Sequence, residues 1–217
     1  MDPQATGAAA LVDLAALTAT PLAGEPFDHV VVPGFVPSSV LESVLADFPA
    51  IDGPGSFPAR SLASGPAFAA LLDELRGPRV RQAFAEKFGV DLVPGAAMIT
   101  LRGQVRRKDG RVHTDSRSKV LTALIYLNPD WPHPGGRLRL LRSPDDIEDY
   151  AVEVPPAAGT LVAFRCTEHA WHGHLPAEGP RASVQLNWVR SRGVAVREQM
   201  RHRLSARMKR LLAPARA

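Results

Sequence analysis

The sequence has very little cysteine: Cys166 is the only one among 217 residues. A single cysteine excludes an internal disulfide and a cysteine-rich zinc site. No apolar run approaches the roughly 18 residues that a membrane-spanning helix requires, so we expect no membrane span. Residues 1–25 are alanine-rich but lack the basic start of a secretory signal, and we expect them to form a loose leader. Together these absences favour a cytoplasmic location.

The positive charge of the chain is concentrated in its tail. The net charge is +4 and the pI is about 9.7. From Arg190 to the C-terminus there are nine Lys or Arg residues and one acid, whereas the remaining 189 residues have 17 basic and 21 acidic ones. The pI therefore describes the tail and does not by itself predict nucleic-acid binding.

Helical patterns come first along the chain. Apolar residues at three- and four-residue steps predict helices over Pro66–Leu75 and Pro78–Phe88. Ser39, with a glutamate three residues later, predicts the N-cap of an earlier helix. A short helix is expected around Ala8–Leu17, and a strand over Phe27–Val32.

From residue 96 onward, short strand-like runs alternate with turn residues. The predicted strands are Met98–Arg102, Arg111–Asp115, Val120–Leu127, Arg137–Leu141, Ala151–Val154, Thr160–Phe164, Ala170–Gly173 and Ser183–Val189. About eight short strands at this spacing indicate a double-sheet jelly roll, which can enclose a small-molecule pocket. We therefore expect a mainly β protein with flanking α-helices, a cupin-like double-stranded β-helix with the N-terminal helices packed on one sheet.

These patterns divide the chain into a leader (1–25), one domain (26–192) with helical support (26–95) and a jelly-roll core (96–192), and a basic C-terminal helix (193–217). The stripe expected to dock this last helix on the barrel is Val196, Met200, Leu204, Met208 and Leu211. The alternative is that this helix binds a partner helix, an acidic membrane surface or RNA.

Candidate metal ligands lie within the strand region. His113 and Asp115 are two residues apart, so in a strand they face the same side. His172, 57 residues after Asp115, is the preferred third ligand, with His174 and His169 as alternatives. Two imidazoles and one carboxylate leave open positions on a divalent metal, as in non-haem Fe(II) oxygenases. Arg181, nine residues after His172 and beyond a Gly-Pro turn, offers a cationic fork for the carboxylate of a co-substrate.

The order of several short motifs resembles the 2-oxoglutarate/Fe(II)-dependent dioxygenase superfamily, and within it the prolyl-4-hydroxylase-like branch. The motifs are HTDS (His113–Ser116), LTALIYLNPDW (Leu121–Trp131), GGRLRLL (Gly135–Leu141), GTLVAF (Gly159–Phe164), WHGH (Trp171–His174) and GPRASVQLNW (Gly179–Trp188). Together they span about residues 96–190. The N-terminal helices fit the family only loosely.

The resemblance implies a role for each matching residue. His113, Asp115 and His172 would bind Fe(II), and Arg181 would pair with the distal carboxylate of 2-oxoglutarate. Tyr126 would donate a hydrogen bond to the same carboxylate, Thr122 would help line the pocket, and Leu138 would pack against the co-substrate. For Tyr126 and Leu138 the alternative is an ordinary core position.

The implied reaction is hydroxylation of an unactivated C–H bond of a protein residue, an amino acid or another small substrate, with release of succinate and CO2 and with ascorbate as reductant. The iron and the keto acid carry the difficult chemistry, and the protein supplies orientation. The alternatives are a non-catalytic cupin-like metal or ligand binder, a nucleic-acid-binding module with a basic tail, and a desaturase. Halogenation is disfavoured because Asp115 retains the metal carboxylate.

The sequence does not identify the prime substrate, which we expect to be a protein, a peptide or an anionic small molecule. Two loops are expected at the rim of the site, Pro129–Pro134 and the acidic Ser143–Tyr150. Basic residues that would favour an anionic substrate are Arg102, Arg106, Arg107, Lys108, Arg117 and Lys119, although such a run is also typical of a solvated turn. The basic C-terminal helix is expected to bind an acidic partner.

Overall fold

A computed structural model describes residues 10–197 and residue 200 of the chain. Its helices are α1 (Leu14–Ala19), α2 (Ser38–Ala46), α3 (Pro66–Arg76) and α4 (Pro78–Phe88). Proline at the first position favours the starts of α3 and α4, and Gly89, in the left-handed conformation with φ of 58°, ends α4. Both helices lie where the apolar stripes predicted them, within one residue.

Nine strands follow or separate these helices within the described part of the chain. They are β1 (His29–Val32), β2 (Phe57–Pro58), β3 (Ala97–Val105), β4 (Lys119–Tyr126), β5 (Leu138–Leu141), β6 (Tyr150–Val154), β7 (Leu161–Arg165), β8 (His172–Gly173) and β9 (Gly179–Val189). A six-stranded sheet has the order β1-β7-β4-β9-β3-β2, and a three-stranded sheet has the order β6-β5-β8. All their named pairings are antiparallel, as expected for the predicted jelly roll.

The larger sheet divides its side chains between two surroundings, because neighbouring residues of a strand point to opposite faces. On β9, Val184, Leu186 and Trp188 join the core cluster that contains the helices, and the Trp188 ring lies 4.8 Å from that of Phe84 in α4. The helices therefore pack on the outer face of this sheet. The inner face lies toward the small sheet and is not covered by these helices, so it can have polar side chains.

The space between the sheets has an apolar part and a polar part. Phe27, Leu140, Val162 and Phe164 belong to an apolar cluster that also includes Tyr126. The remaining inner-face positions of β3, β4 and β9 are largely polar, and they line the cavities described below. The site is therefore positioned where the interior of the barrel is not filled by apolar side chains.

Four local predictions need correction. Arg111–Asp115 is not a strand, because its only ladder contact is the single bridge between His113 and His172. Gly179 and Pro180 are not a turn but the start of β9, paired with the end of β3. Helix α2 begins after Pro37 and has no side-chain cap, so Ser39 does not cap it.

The fourth correction concerns the leader. Its described part is packed rather than loose, since Val12 and Leu17 are buried in the main core and α1 is capped by the side chain of Asp13. The domain boundaries themselves stay a prediction.

At the other end, residues 192–197 and 200 are helical. Ala195 is buried beside Met98 and Val189, but Val196 and Met200 are 54% and 57% exposed. The predicted stripe is therefore not docked at these two positions, and Leu204, Met208 and Leu211 lie outside the described residues. No helix in the described part of the chain is long and apolar enough to cross a bilayer.

Candidate metal centre and co-substrate pocket

Three of the predicted site residues form one cluster. Ligand atoms of His113, Asp115 and His172 all lie within 4.8 Å of one another. The two histidines come from different segments, which are joined by reciprocal backbone hydrogen bonds, His113 N–H to His172 O and His172 N–H to His113 O, both of 3.0 Å. Their rings are 4.4 Å apart. The cluster therefore depends on one short contact between the loop after β3 and strand β8.

Backbone carbonyls orient both imidazoles. His113 Nδ1 lies 2.8 Å from Arg111 O, and His172 Nδ1 lies 2.9 Å from Ala170 O. Because a carbonyl oxygen can only accept, each Nδ1 must carry the proton, which leaves the lone pair on Nε2. A metal-ligating histidine commonly has this arrangement. Both rings are thus held in the tautomer that presents Nε2 as a ligand.

Burial and charge keep His172 and Asp115 in their ligating protonation states. Burial, followed by the neighbouring His113, lowers the pKa of His172 to about 4. Burial raises the pKa of Asp115, but the Lys119 ammonium, His172 and the Thr122 hydroxyl lower it, and the net pKa lies below the ordinary value. Near neutral pH, His172 is therefore uncharged and Asp115 is ionised, as metal binding requires.

Two side chains of β4 hold the Asp115 carboxylate. Lys119 Nζ lies 2.5 Å from Oδ1, and Thr122 Oγ1 donates to Oδ2 at 2.5 Å. Thr122 also lines the predicted pocket, but its hydroxyl contacts the carboxylate. Cys166 Sγ lies 3.8 Å from the same Oδ2, and burial raises the pKa of its thiol to about 12, so it remains protonated. The sequence alone did not indicate these contacts.

Arg181 is buried beside the cluster without a carboxylate partner. The residue is 6% exposed, its Nε donates to Gly136 O at 3.1 Å, and its guanidinium lies 5.1 Å from the centre of the Tyr126 ring. Among the residues that the structure describes, no acid forms an ion pair with it. A buried cation ordinarily has an anionic partner, so Arg181 is suited to bind an anion that enters the cavity.

Tyr126 is placed to help with the same anion. Its oxygen lies 3.5 Å from Arg181 Nη2, and burial raises the pKa of its hydroxyl, which therefore stays protonated. One cavity of about 130 Å³ connects these groups, and all seven predicted site residues line it: His113, Asp115, Thr122, Tyr126, Leu138, His172 and Arg181. Its further lining residues include Arg102, His174, Ser183 and Gln185.

The alternative histidines have other surroundings. His174 is buried, lines the cavity and contacts Leu175 O through Nδ1 at 2.8 Å, and burial lowers its pKa to about 4. It does not belong to the three-residue cluster. The His169 side chain is 83% exposed beside Glu168. The structure therefore brings His172, rather than His174 or His169, to His113 and Asp115.

Most of the predicted basic rim is paired with acids. Arg102 and Arg106 both contact Asp109, at 3.2 and 3.1 Å, and Arg117 lies 3.5 Å from Glu168. The acidic segment Ser143–Tyr150 contacts Arg139 and Arg142 through Glu148 and Asp149. The rim is accordingly less basic than the sequence alone indicates.

One feature of the sequence would have identified further lining residues. In β9 the polar residues Arg181, Ser183, Gln185 and Asn187 alternate with apolar ones, and a period of two places them on one face of a strand. All four line the inner cavities. The prediction used Arg181 from this series and missed the other three.

Comparison with known proteins agrees with this geometry. Residues 103–190 match the model of the 2OG-Fe(II) oxygenase superfamily. No curated protein matches the sequence.

Solved structures with the same fold include a Pseudomonas putida prolyl-4-hydroxylase, with 22% identity, a TM-score of 0.57, and coverage of 82% of this chain and 100% of that one. A prolyl 4-hydroxylase from Phytophthora capsici has 17% identity and a TM-score of 0.56, covering 86% of this chain and 68% of that one.

A third similar structure belongs to an enzyme of another reaction class. The non-haem α-ketoglutarate-dependent epimerase SnoN from nogalamycin biosynthesis has 17% identity and a TM-score of 0.50, covering 81% of this chain and 82% of that one. The fold is thus shared by hydroxylases and an epimerase, and it does not by itself specify the reaction. Residues 103–190, which hold the three clustered side chains and Arg181, are thus similar to the 2OG-Fe(II) oxygenase superfamily, on a fold shared with prolyl 4-hydroxylases.

Proposed function

We propose that the protein is an Fe(II)- and 2-oxoglutarate-dependent dioxygenase that hydroxylates an unactivated C–H bond and releases succinate and CO2. The observation that carries the proposal is the buried Arg181 guanidinium, which has no described acidic partner and lines the same cavity as His113, Asp115 and His172. A simple metal-binding protein would have no need of such a group. A keto acid with two carboxylates has one for the arginine and one for the metal.

The side chains present fit Fe(II). Two imidazole nitrogens and one carboxylate, grouped on one side with open positions opposite, are the donor set typical of non-haem iron oxygenases. His113 and His172 have their Nδ1 atoms engaged by carbonyls, so that Nε2 of each is the available ligand. When bound, iron and 2-oxoglutarate together supply the oxidising chemistry with O2, and ascorbate is the proposed reductant.

The contribution of the chain is to bind, orient and exclude water. Arg181 and the Tyr126 hydroxyl would hold the distal carboxylate of the keto acid, the first as a cation and the second as a neutral donor. Leu138 lines the same cavity as an apolar surface and is itself buried. Thr122 and Lys119 fix the orientation of the Asp115 carboxylate. These contacts would align the keto acid with the metal before a substrate arrives.

The test is formation of succinate from 2-oxoglutarate by purified protein with Fe(II) and ascorbate. We expect slow turnover without prime substrate, and loss of at least 100-fold in His172→Ala, because one of three metal ligands is removed. The control is His169→Ala, which removes an imidazole whose side chain is 83% exposed and should leave the rate unchanged.

Calorimetry of 2-oxoglutarate binding with and without a divalent metal gives an independent measure. Metal-dependent binding in the wild type, absent in His172→Ala, is the expected result. If neither turnover nor metal-dependent binding were observed, the non-catalytic ligand-binding alternative would replace the proposed function.

A further inference from the structure

A second cavity adjoins the metal cluster on the side of β9 that is distant from Arg181. Its volume is about 250 Å³. It shares five lining residues with the first cavity: Ser56, Thr100, His113, Asp115 and Gln185. Arg181, Tyr126 and Leu138 do not line it. A volume at the small end of ligand pockets suits a compact molecule or one residue of a larger one. A ligand here would therefore be next to the metal without displacing the keto acid.

The lining of this second cavity is rich in polar side chains. Hydroxyls of Ser116 and Ser118, the amides of Gln185 and Asn187, and the ammonium of Lys119 all belong to it. No aromatic side chain other than His113, and no acid other than Asp115, lines it among the residues that the structure describes. An aromatic or largely apolar substrate would leave these polar groups desolvated and unpaired, so the lining favours a polar ligand.

The hydrogen bonds that these groups make leave donors in excess. Lys119 Nζ has three protons and one described acceptor, Asp115 Oδ1. Gln185 Nε2 donates one of its two protons to Asn187 Oδ1, which leaves the other without a described acceptor. Ser116 and Ser118 share one hydrogen bond, so one of their two protons is free. The remaining donors call for a ligand rich in acceptors.

The charge of the cavity favours a single negative charge on that ligand. Lys119 is its one Lys or Arg side chain in the described residues, and it is 17% exposed. Its partner Asp115 is also the proposed metal ligand, and a metal ion on that carboxylate would compete with the ammonium for its negative charge. Lys119 would then have the capacity to pair with an incoming monoanion, whereas a dianion would exceed the charge that one ammonium offers.

We infer that this second cavity is the prime-substrate site and that it binds a compact polar molecule through one carboxylate, held by Lys119 with Ser116, Ser118, Gln185 and Asn187 as further polar contacts. The inference rests on the proposed function, because only an oxygenase would have a prime substrate. Binding of the carboxylate itself depends on the cavity and on a metal ion at Asp115, and it does not require the oxygenase reaction.

The experiment uses trifluoroacetate as a carboxylate probe, observed by ¹⁹F NMR, on full-length protein containing Zn(II) and saturating 2-oxoglutarate. The keto acid would occupy the Arg181 cavity, so that any further binding would report the second one. We expect saturable line broadening by trifluoroacetate and none by trifluoroethanol, which has the same fluorinated group without the charge. Lys119→Met should weaken trifluoroacetate binding at least 10-fold, and Lys119→Arg should restore most of it.

The matched control is Arg117→Met, which removes a cation two residues away whose side chain is 91% exposed, and it should bind trifluoroacetate like the wild type. If Lys119→Met still binds 2-oxoglutarate and broadens the trifluoroacetate signal as much as the wild type does, trifluoroacetate ligates the metal directly. That result would overturn the inference. Equal broadening by trifluoroethanol would also overturn it, and that comparison needs no variant. If monofluorophosphate bound more tightly than trifluoroacetate, the preferred ligand would be a dianion, and the proposed carboxylate would be wrong.

Failure of the two proposals can be distinguished on the same samples. If 2-oxoglutarate binds and trifluoroacetate does not, the substrate class is wrong and the proposed function stands. If 2-oxoglutarate does not bind with any divalent metal, the proposed function itself is wrong.

Discussion

The Arg181 guanidinium forms no ion pair with a described acid. Its contacts with Gly136 O and the Tyr126 ring fix its direction. We predict that Arg181→Leu weakens metal-dependent 2-oxoglutarate binding by about 30-fold or more, because loss of a buried charge pair costs about 2–5 kcal/mol. Arg181→Lys should recover part of the affinity, since it keeps the charge but loses the planar fork. Calorimetry with 2-oxoglutarate measures both variants.

Metal affinity is the internal control for these variants. Arg181 does not belong to the ligand cluster, so a titration with Zn(II) should be the same in the wild type and Arg181→Leu. A parallel loss of metal affinity would mean that the substitution disturbs the fold, and unchanged 2-oxoglutarate affinity would remove Arg181 from the binding site.

Much of the site was accessible from residue types and their spacing. The identity of the three clustered residues and of the arginine follows from the order His113, Asp115, His172 and Arg181. The contacts of Lys119 and Thr122 with Asp115 were not accessible in this way, because they depend on how a loop returns to the start of β4. Sequence spacing identifies candidate ligands but does not show which side chains orient them.

At the scale of elements, the loop after β3 and strand β8 meet at a close backbone contact. A Cβ built on Gly173 would lie 2.8 Å from Gly110 O and 3.2 Å from Val112 Cα. These are backbone atoms, so the loop that carries His113 would have to move away from His172. We predict that Gly173→Ala lowers metal affinity at least 10-fold, measured by Zn(II) titration, since the two imidazoles would no longer be correctly spaced.

Gly24→Ala is the matched control, because a Cβ at that position meets nothing within 4 Å. It should bind metal like the wild type. Wild-type metal affinity in Gly173→Ala would show that the loop can adjust without separating the histidines, and that the contact does not define the site.

The elements differed in how well the sequence predicted them. Helices α3 and α4 were predictable because each has an apolar stripe that is buried in the core. The segment Arg111–Asp115 was predicted as a strand because His113 and Asp115 needed a common face, yet it makes only one bridge. A local pattern specifies a long helix well, whereas pairing of a short segment depends on which distant segment lies beside it.

At the scale of the whole molecule, buried histidines couple stability to pH. The pKa of His172 falls from 6.5 to about 4 on folding because of burial. The unfolded chain therefore binds more protons between these values, and stability is lost as the pH falls from 6.5 to 4. For His172 alone the loss in the free energy of unfolding is about 3 kcal/mol.

Urea denaturation of chelator-treated protein at several pH values between 7.5 and 4 measures this loss. His172→Gln removes one of two buried histidines with a lowered pKa and should make the profile less steep. His169→Gln, at an exposed position, should follow the wild type. A His172→Gln profile as steep as that of the wild type would assign the acid sensitivity to other groups.

The inner face of β9 also sets the distance between the two cavities. Arg181 lies in one cavity and Asn187 in the other, six residues apart, which is about 20 Å along an extended strand. This distance limits the combined length of two ligands that lie end to end along the strand. Since alternate residues face opposite sides, one inserted residue would turn part of the polar row into the helix-facing core, and only a two-residue insertion would lengthen the span while preserving the face. The reach of the site can therefore change during evolution only in steps of about 7 Å.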